Sequence, residues 1–303
     1  MKVSPARLRT QRLPNLAALL LRRPRWLLRG VVAALATVTG VTSLEVQQRR
    51  WIFQAGLAGL AGNEQRAQAS LGLQDQWITF DSAESGAPAT LHGLWLPQAR
   101  ANAPVLLFLH GARWDIRSSA QRMRSLHALG FSVMGIDYRG FGQSTAALPS
   151  ERMACEDACA AWRWLAQRHP QATRYIYGHS LGGAIAVQLA TLVDDAAGLI
   201  VEGTFTSIPE VIGSFNRGWR PLASFITQRF DSAQRIAQVK VPTLVVHGSA
   251  DHFIRPELGR ALFERATAPK RFMLVQGGSH HDTHAVGRTQ YREALHELFG
   301  LAG

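Results

Sequence analysis

The sequence predicts an α/β fold with a mostly parallel central sheet, helices on both faces and a short cap insertion. Three observations predict it. Short apolar runs alternate with helical patterns from Gln76 to Phe299. The central runs are apolar throughout, as strands buried on both faces of a parallel sheet require. One of them, Arg174–Gly178, passes through a glycine-flanked serine straight into a small-residue helical pattern, Leu181–Leu192.

Taken in order, the chain starts with a basic arm over residues 1–25. Of the net charge of +12, eight positive charges fall in residues 1–30, and no acid precedes Glu45, which leaves only four for everything after. A nearly balanced domain with a basic arm argues against nucleic-acid binding, because no basic stripe with interleaved aromatics accompanies the charge. Residues 26–45 contain WLLRGVVAALATVTGVTSL, whose single charge, Arg29, sits near the start, where its stem can snorkel. This predicts a transmembrane signal anchor. The basic flank predicts a cytoplasmic N-terminus, with the domain that follows periplasmic or otherwise extracytoplasmic. A signal cleaved after Ala34-Leu35-Ala36 and a buried soluble helix are the alternatives.

Residues 46–75 read as a linker, and 76–303 as the α/β domain. Its strands are expected over Gln76–Phe80, Thr90–Leu96, Val105–His110, Phe131–Asp137, Arg174–Gly178, Gly198–Val201, Thr243–His247 and Arg271–Val275. Helical patterns fall at Glu151–Arg168, Leu181–Leu192, Pro256–Ala266 and Arg288–Phe299. The stretch from Thr204 to Val239 breaks this alternation and is rich in Phe and Trp, so it reads as a cap over the site. Cys155 and Cys159 stand four apart in a helical pattern, where a disulfide is geometrically awkward, and are expected to be buried thiols.

The chemistry concentrates at YIYGHSLGGAIA. Gly178-His179-Ser180-Leu181-Gly182 between strand and helix is a nucleophile elbow, which throws Ser180 outward at a helix N-terminus. Chains with this elbow follow the serine with an acid and then a histidine. Asp251, just past the strand Thr243–His247, is the expected acid. FMLVQGGSHHDTH offers His280, His281 and His284, of which His280 comes first after the Gly277-Gly278-Ser279 turn. These histidines with Asp282 lack a helical HExxH or cysteine partners, so neither metal nor other cofactor is expected. The oxyanion hole is assigned to the backbone N–H groups of Leu181 and of Ala112, the latter following His110-Gly111 after an early strand. His110 and His179 are expected to pack rather than react.

At these residues the chain resembles the α/β-hydrolase superfamily from about Trp51 onward. The resemblance is to a membrane-anchored branch related to protein depalmitoylases and serine-aminopeptidase-like hydrolases. It rests on QQRRWIFQ, HGLWLP, LLFLHG, GIDYRGFGQS, YGHSLGG, FDSAQRI, PTLVVHGSAD and GGSHHD. It implies the α/β-hydrolase fold, puts His280 ahead of His281 in the catalytic role, and makes Asp137 to Ser144 a structural loop. Ala112-Arg113-Trp114 departs from the asparagine and small residues frequent in that branch. Arg113 and Trp114, with Phe205, Phe215, Trp219 and Phe225 of the cap, are the candidate substrate pocket; packing of the cap aromatics onto the core is the alternative. The functional expectation is a membrane-anchored serine hydrolase acting on esters or thioesters of a small-molecule or lipid-like acyl group. A serine peptidase of the same fold and a non-catalytic membrane-tethered binding protein are the other readings.

Overall fold

In the computed structural model, which describes residues 42–55, 72–215 and 217–301, the apolar runs assemble into an eight-stranded sheet. Its strands are β1 (Gln74–Asp81), β2 (Pro88–Leu96), β3 (Val105–Leu109), β4 (Ser132–Ile136), β5 (Arg174–His179), β6 (Gly198–Glu202), β7 (Thr243–Gly248) and β8 (Lys270–Val275). They lie in the order β1-β2-β4-β3-β5-β6-β7-β8. The pairs β1/β2 and β2/β4 are antiparallel and every other pair is parallel. The strand order reverses between β3 and β5. In open α/β sheets such a reversal opens a crevice beyond the carboxyl ends of the strands, where ligands bind.

Alternate side chains of the central strands enter opposite cores. Leu107 and Leu109 of β3 pack with Ile176 and Leu199 on one face, under α3 (Glu151–Arg168) and α4 (Leu181–Leu192). Leu106 and Phe108 join Tyr175 and Tyr177 on the other, under α2 (Ala120–His127) and α9 (Arg288–Phe299). Between β6 and β7 the cap comprises α5 (Ile208–Phe215), a 3-10 segment Arg217–Phe225 and α6 (Ser232–Ile236). After β7 and β8 come α7 (Pro256–Arg265) and the short α8 (Thr283–Val286).

Helix α1 occupies residues 42–53. One compact unit runs Gln47–Gly303. Phe53 is 0% exposed, with its ring centroid 5.8 Å from that of Phe230 and 6.4 Å from that of Phe141. Burying such a ring contributes roughly 1.5–3 kcal/mol. Arg49 and Gln48 add polar ties, Arg49 Nε donating to the Pro149 carbonyl at 2.9 Å and Gln48 Nε2 to the Phe225 carbonyl at 2.8 Å. Residues 26–41 of the expected anchor and 56–71 of the expected linker lie outside the described residues. Among the described residues, no helix is long and apolar enough to cross a membrane. Cys155 and Cys159 are free thiols, and burial pushes both above the usual cysteine pKa.

Candidate active site

Ser180 sits between β5 and α4, at φ 56° and ψ −122°. A non-glycine residue there carries strain of about 1–3 kcal/mol, so the surroundings must hold it. They do so through its backbone: Ser180 N–H donates to the Glu202 carbonyl at 2.9 Å, and Ser180 O accepts from Thr204 Oγ1 at 2.9 Å. The turn also requires close approach of two backbones. A Cβ at Gly182 would collide with the carbonyls of Leu109 and His110, and one at Gly178 with the carbonyl of Gly182. This is the physical reason for the glycines of the elbow.

The structure brings Ser180, His280 and Asp251 into one hydrogen-bonded line. His280 Nε2 lies 3.0 Å from Ser180 Oγ, and His280 Nδ1 lies 2.7 Å from Asp251 Oδ2. Asp251 Oδ1 accepts from the N–H groups of Phe253 and Ile254 at 2.9 and 2.8 Å. Burial would raise the Asp251 carboxyl, but hydrogen bonds from His247, His280 and Ile254 outweigh it and hold the pKa below the usual range. Asp251 is therefore an anion fixed behind the imidazole. Asp282 faces elsewhere, accepting from Ser279 N–H and Oγ at 2.7 Å each.

The loop carrying His280 is gripped from below. His179 Nε2–H donates to the His280 carbonyl at 2.9 Å, and Arg122 Nη2 donates to the His281 carbonyl at 3.0 Å. Arg122 is itself paired with the buried Glu202, which also accepts from Tyr291 OH. Burial, followed by the Arg122 charge, pushes His179 well below the usual histidine pKa, so the ring is neutral and can donate from one nitrogen only. His179 and Arg122 thus position the histidine loop, and Arg122 carried no signal in the sequence because Glu202 and His281 lie far from it along the chain. His110 is buried, with Nδ1–H donating to the Gly111 carbonyl at 2.6 Å. His284 is buried with neither ring nitrogen partnered among the described residues, and burial followed by Arg122 lowers its pKa to about 3.

Gly111 passes so close to the elbow that a Cβ on it would lie 3.1 Å from Ser180 Cβ. Ala112, the next residue, lines the cavity with Ser180. Among the described residues no acceptor engages the Ala112 or Leu181 N–H, so both are available to an oxyanion. Among the same residues, no group of three His, Cys, Asp or Glu side chains is arranged to hold a metal ion.

Ser180 and His280 open into a cavity of about 690 Å³. Of the candidate pocket residues, Arg113, Trp114, Phe205 and Phe215 line it. Phe205 is 2% exposed and also packs into the core, whereas Phe215 is 53% exposed. The side chain of Trp219 lies outside the described residues. Phe225 is exposed, and its carbonyl accepts from Gln48. The sequence reading missed several apolar wall residues, among them Trp51, Ile52, Ile208, Val211, Phe253 and Ile254. Trp51 and Ile52 belong to QQRRWIFQ, so the apolar WIF triplet after two arginines was their available signal.

A family model described as serine aminopeptidase, S33 matches residues 100–233. The uncharacterized protein MT2364 of Mycobacterium tuberculosis is 34% identical over 259 residues, which cover 83% of this chain and 88% of that protein. Lysophosphatidylserine lipase ABHD12 of Danio rerio is 33% identical over 190 residues, covering 56% of this chain and 49% of that protein. Among solved structures, the Pyrococcus furiosus esterase Pf2001 superposes with a TM-score of 0.62 at 18% identity, over 80% of this chain and 97% of that one. At that identity the likeness concerns the fold.

Proposed function

The chain belongs to the α/β-hydrolase superfamily, as an enzyme of the serine hydrolase kind, and on that premise we propose that it cleaves carboxylic ester or thioester bonds of lipid-like acyl groups through Ser180, His280 and Asp251. The observation that carries this reading is the hydrogen-bonded line from Ser180 through His280 to Asp251 at the floor of a largely apolar cavity. Ser180 Oγ attacks the acyl carbonyl carbon while His280 Nε2 takes its proton. The oxyanion is held by the N–H groups of Ala112 and Leu181. His280 then returns the proton to the leaving alcohol or thiol. Water, deprotonated by the same nitrogen, releases the acyl group and restores the serine.

A peptidase acting on a free N-terminus needs an anion to hold the amine. Among the described residues lining the cavity, Asp282 is the one carboxylate, and it is occupied by Ser279, while three arginines share the wall. That balance favours the ester reading over the aminopeptidase one. Anchoring through residues 26–45, with the N-terminus cytoplasmic, is part of the same proposal and rests on the apolar run and its basic flank.

Labelling with a fluorophosphonate, followed by hydrolysis of esters and thioesters of graded chain length and of aminoacyl amides, tests the chemistry. Ser180→Ala is expected to abolish labelling and turnover in a folded protein, and near-normal turnover in that variant would refute the reading. Carbonate-resistant sedimentation of the full-length chain with membranes tests the anchor. Recovery in the soluble fraction would remove it.

A further inference from the structure

Three arginines line the cavity, and two are neutralised in place. Arg117 Nη2 lies 2.6 Å from Asp75, and Arg122 is paired with Glu202. Arg113 has a different setting. Its Nε donates to Gln54 Oε1 at 3.0 Å, and its guanidinium lies 5.9 Å from the Trp114 ring centroid. No carboxylate among the described residues pairs with it, and its two terminal nitrogens find no acceptor there. A half-buried cation held with its fork unoccupied suits a planar or tetrahedral anion with two oxygens to offer.

The backbone reinforces this. Arg113 stands at φ 80°, a left-handed conformation that costs a side-chain-bearing residue about 1–3 kcal/mol. Its N–H donates to the Phe53 carbonyl at 2.8 Å, so α1 fixes the turn. The strained residue directly follows Ala112, which lines the same cavity.

Building on the ester-hydrolase reading, we propose that Arg113 is a specificity-determining anion site, selecting acyl esters whose alcohol carries a phosphate or carboxylate a few bonds from the scissile carbonyl. With the carbonyl oxygen on the Ala112 and Leu181 N–H groups, the acyl chain runs along Ile208, Val211 and Phe215 of the cap. The alcohol then turns toward Arg113. The anion is bound, not transformed: water still divides the ester into a fatty acid and an alcohol that keeps its phosphate or carboxylate.

The test uses the full-length protein and three esters with the same octanoyl chain: 1-octanoylglycerol, its 3-phosphate, and its 3-O-carboxymethyl ether. Octanoate release gives kcat/KM for each. At least tenfold preference for one or both anionic esters is expected, with the stronger of the two identifying the anion. Arg113→Gly removes the guanidinium while relieving the left-handed strain, so it is the variant best placed to fold, and thermal melting verifies that it does. It is expected to bring the preference below about twofold, while Arg113→Lys keeps part of it. Equal rates on all three esters, or a preference that survives Arg113→Gly, overturns the anion site and leaves the hydrolase reading intact. Fluorophosphonate labelling of Ser180 without octanoate release from any ester overturns the anion site alone. Absence of both labelling and release overturns the two readings together.

Discussion

The floor of the cavity, where Ser180, His280 and Asp251 meet, stands on the ends of β5, β7 and β8 with its polar groups held in hydrogen bonds, whereas the wall from Trp51 to Phe215 is drawn from α1 and the cap. Floor residues are placed by backbone geometry: a strained serine, collision-limited glycines, and two carbonyls gripped by His179 and Arg122. Wall residues are placed by packing, and several are partly exposed. The contrast assigns chemistry to the rigid sheet edge and selectivity to segments inserted around it. Changes to the floor should therefore act on kcat, and changes to the wall on the choice among substrates.

The sharpest attempt to break this division is Asp251→Asn. The amide cannot supply the charge that holds His280 in its working tautomer, and turnover is expected to fall on the order of 10⁴-fold by analogy with other triads. Steady-state kinetics on a folded variant checks this, and a loss of tenfold or less would mean that the acid lies elsewhere. A wall change should behave differently. Val211→Trp fills the acyl side of the cavity, so kcat/KM for long-chain esters is expected to drop at least tenfold relative to acetate esters. A uniform loss across chain lengths would erase the distinction between wall and floor.

Asp282→Asn is expected to cost about tenfold or less, because Asp282 braces Ser279 and does not touch the His280 ring. Its ranking against Asp251→Asn is the informative measurement. Phe53→Ala probes where α1 belongs. Removing a fully buried ring should cost about 3–5 kcal/mol in chemical denaturation, whereas a linker residue would cost almost nothing.

The floor also sets a pH dependence of stability. His179 and His284 have pKa values lowered in the fold, the latter to about 3, so the unfolded chain takes up protons first as pH falls. Their contribution is complete above the unfolded value of about 6.5 and is lost progressively below it, down to about 3 for His284. Thermal melts from pH 7.5 to 5 should show a falling Tm, and His284→Leu should shallow that fall. An unchanged slope in the variant would remove His284 from the account.

Much of the sheet was legible in advance, since strands buried on both faces must be apolar along their length, as Val105–Leu109 and Thr243–Gly248 are. The two antiparallel pairs at the β1 edge were less so: β1 is largely exposed, and period alone does not give direction. The elbow was legible because Gly178, Ser180 and Gly182 answer a local steric demand, met within five residues. By itself, then, the sequence determined the fold class, the elbow, and the order in which serine, acid and histidine follow one another. Tertiary structure decided what spans distance. It brought Trp51 and Ile52 to the cavity wall, joined Arg122 to Glu202 beneath the histidine loop, and left Arg113 without a counter-ion among the described residues. The physical reason is that local sterics and burial periodicity are written in neighbouring residues. The pairing of a charge, or its absence, depends on which carboxylates the folded chain carries to it.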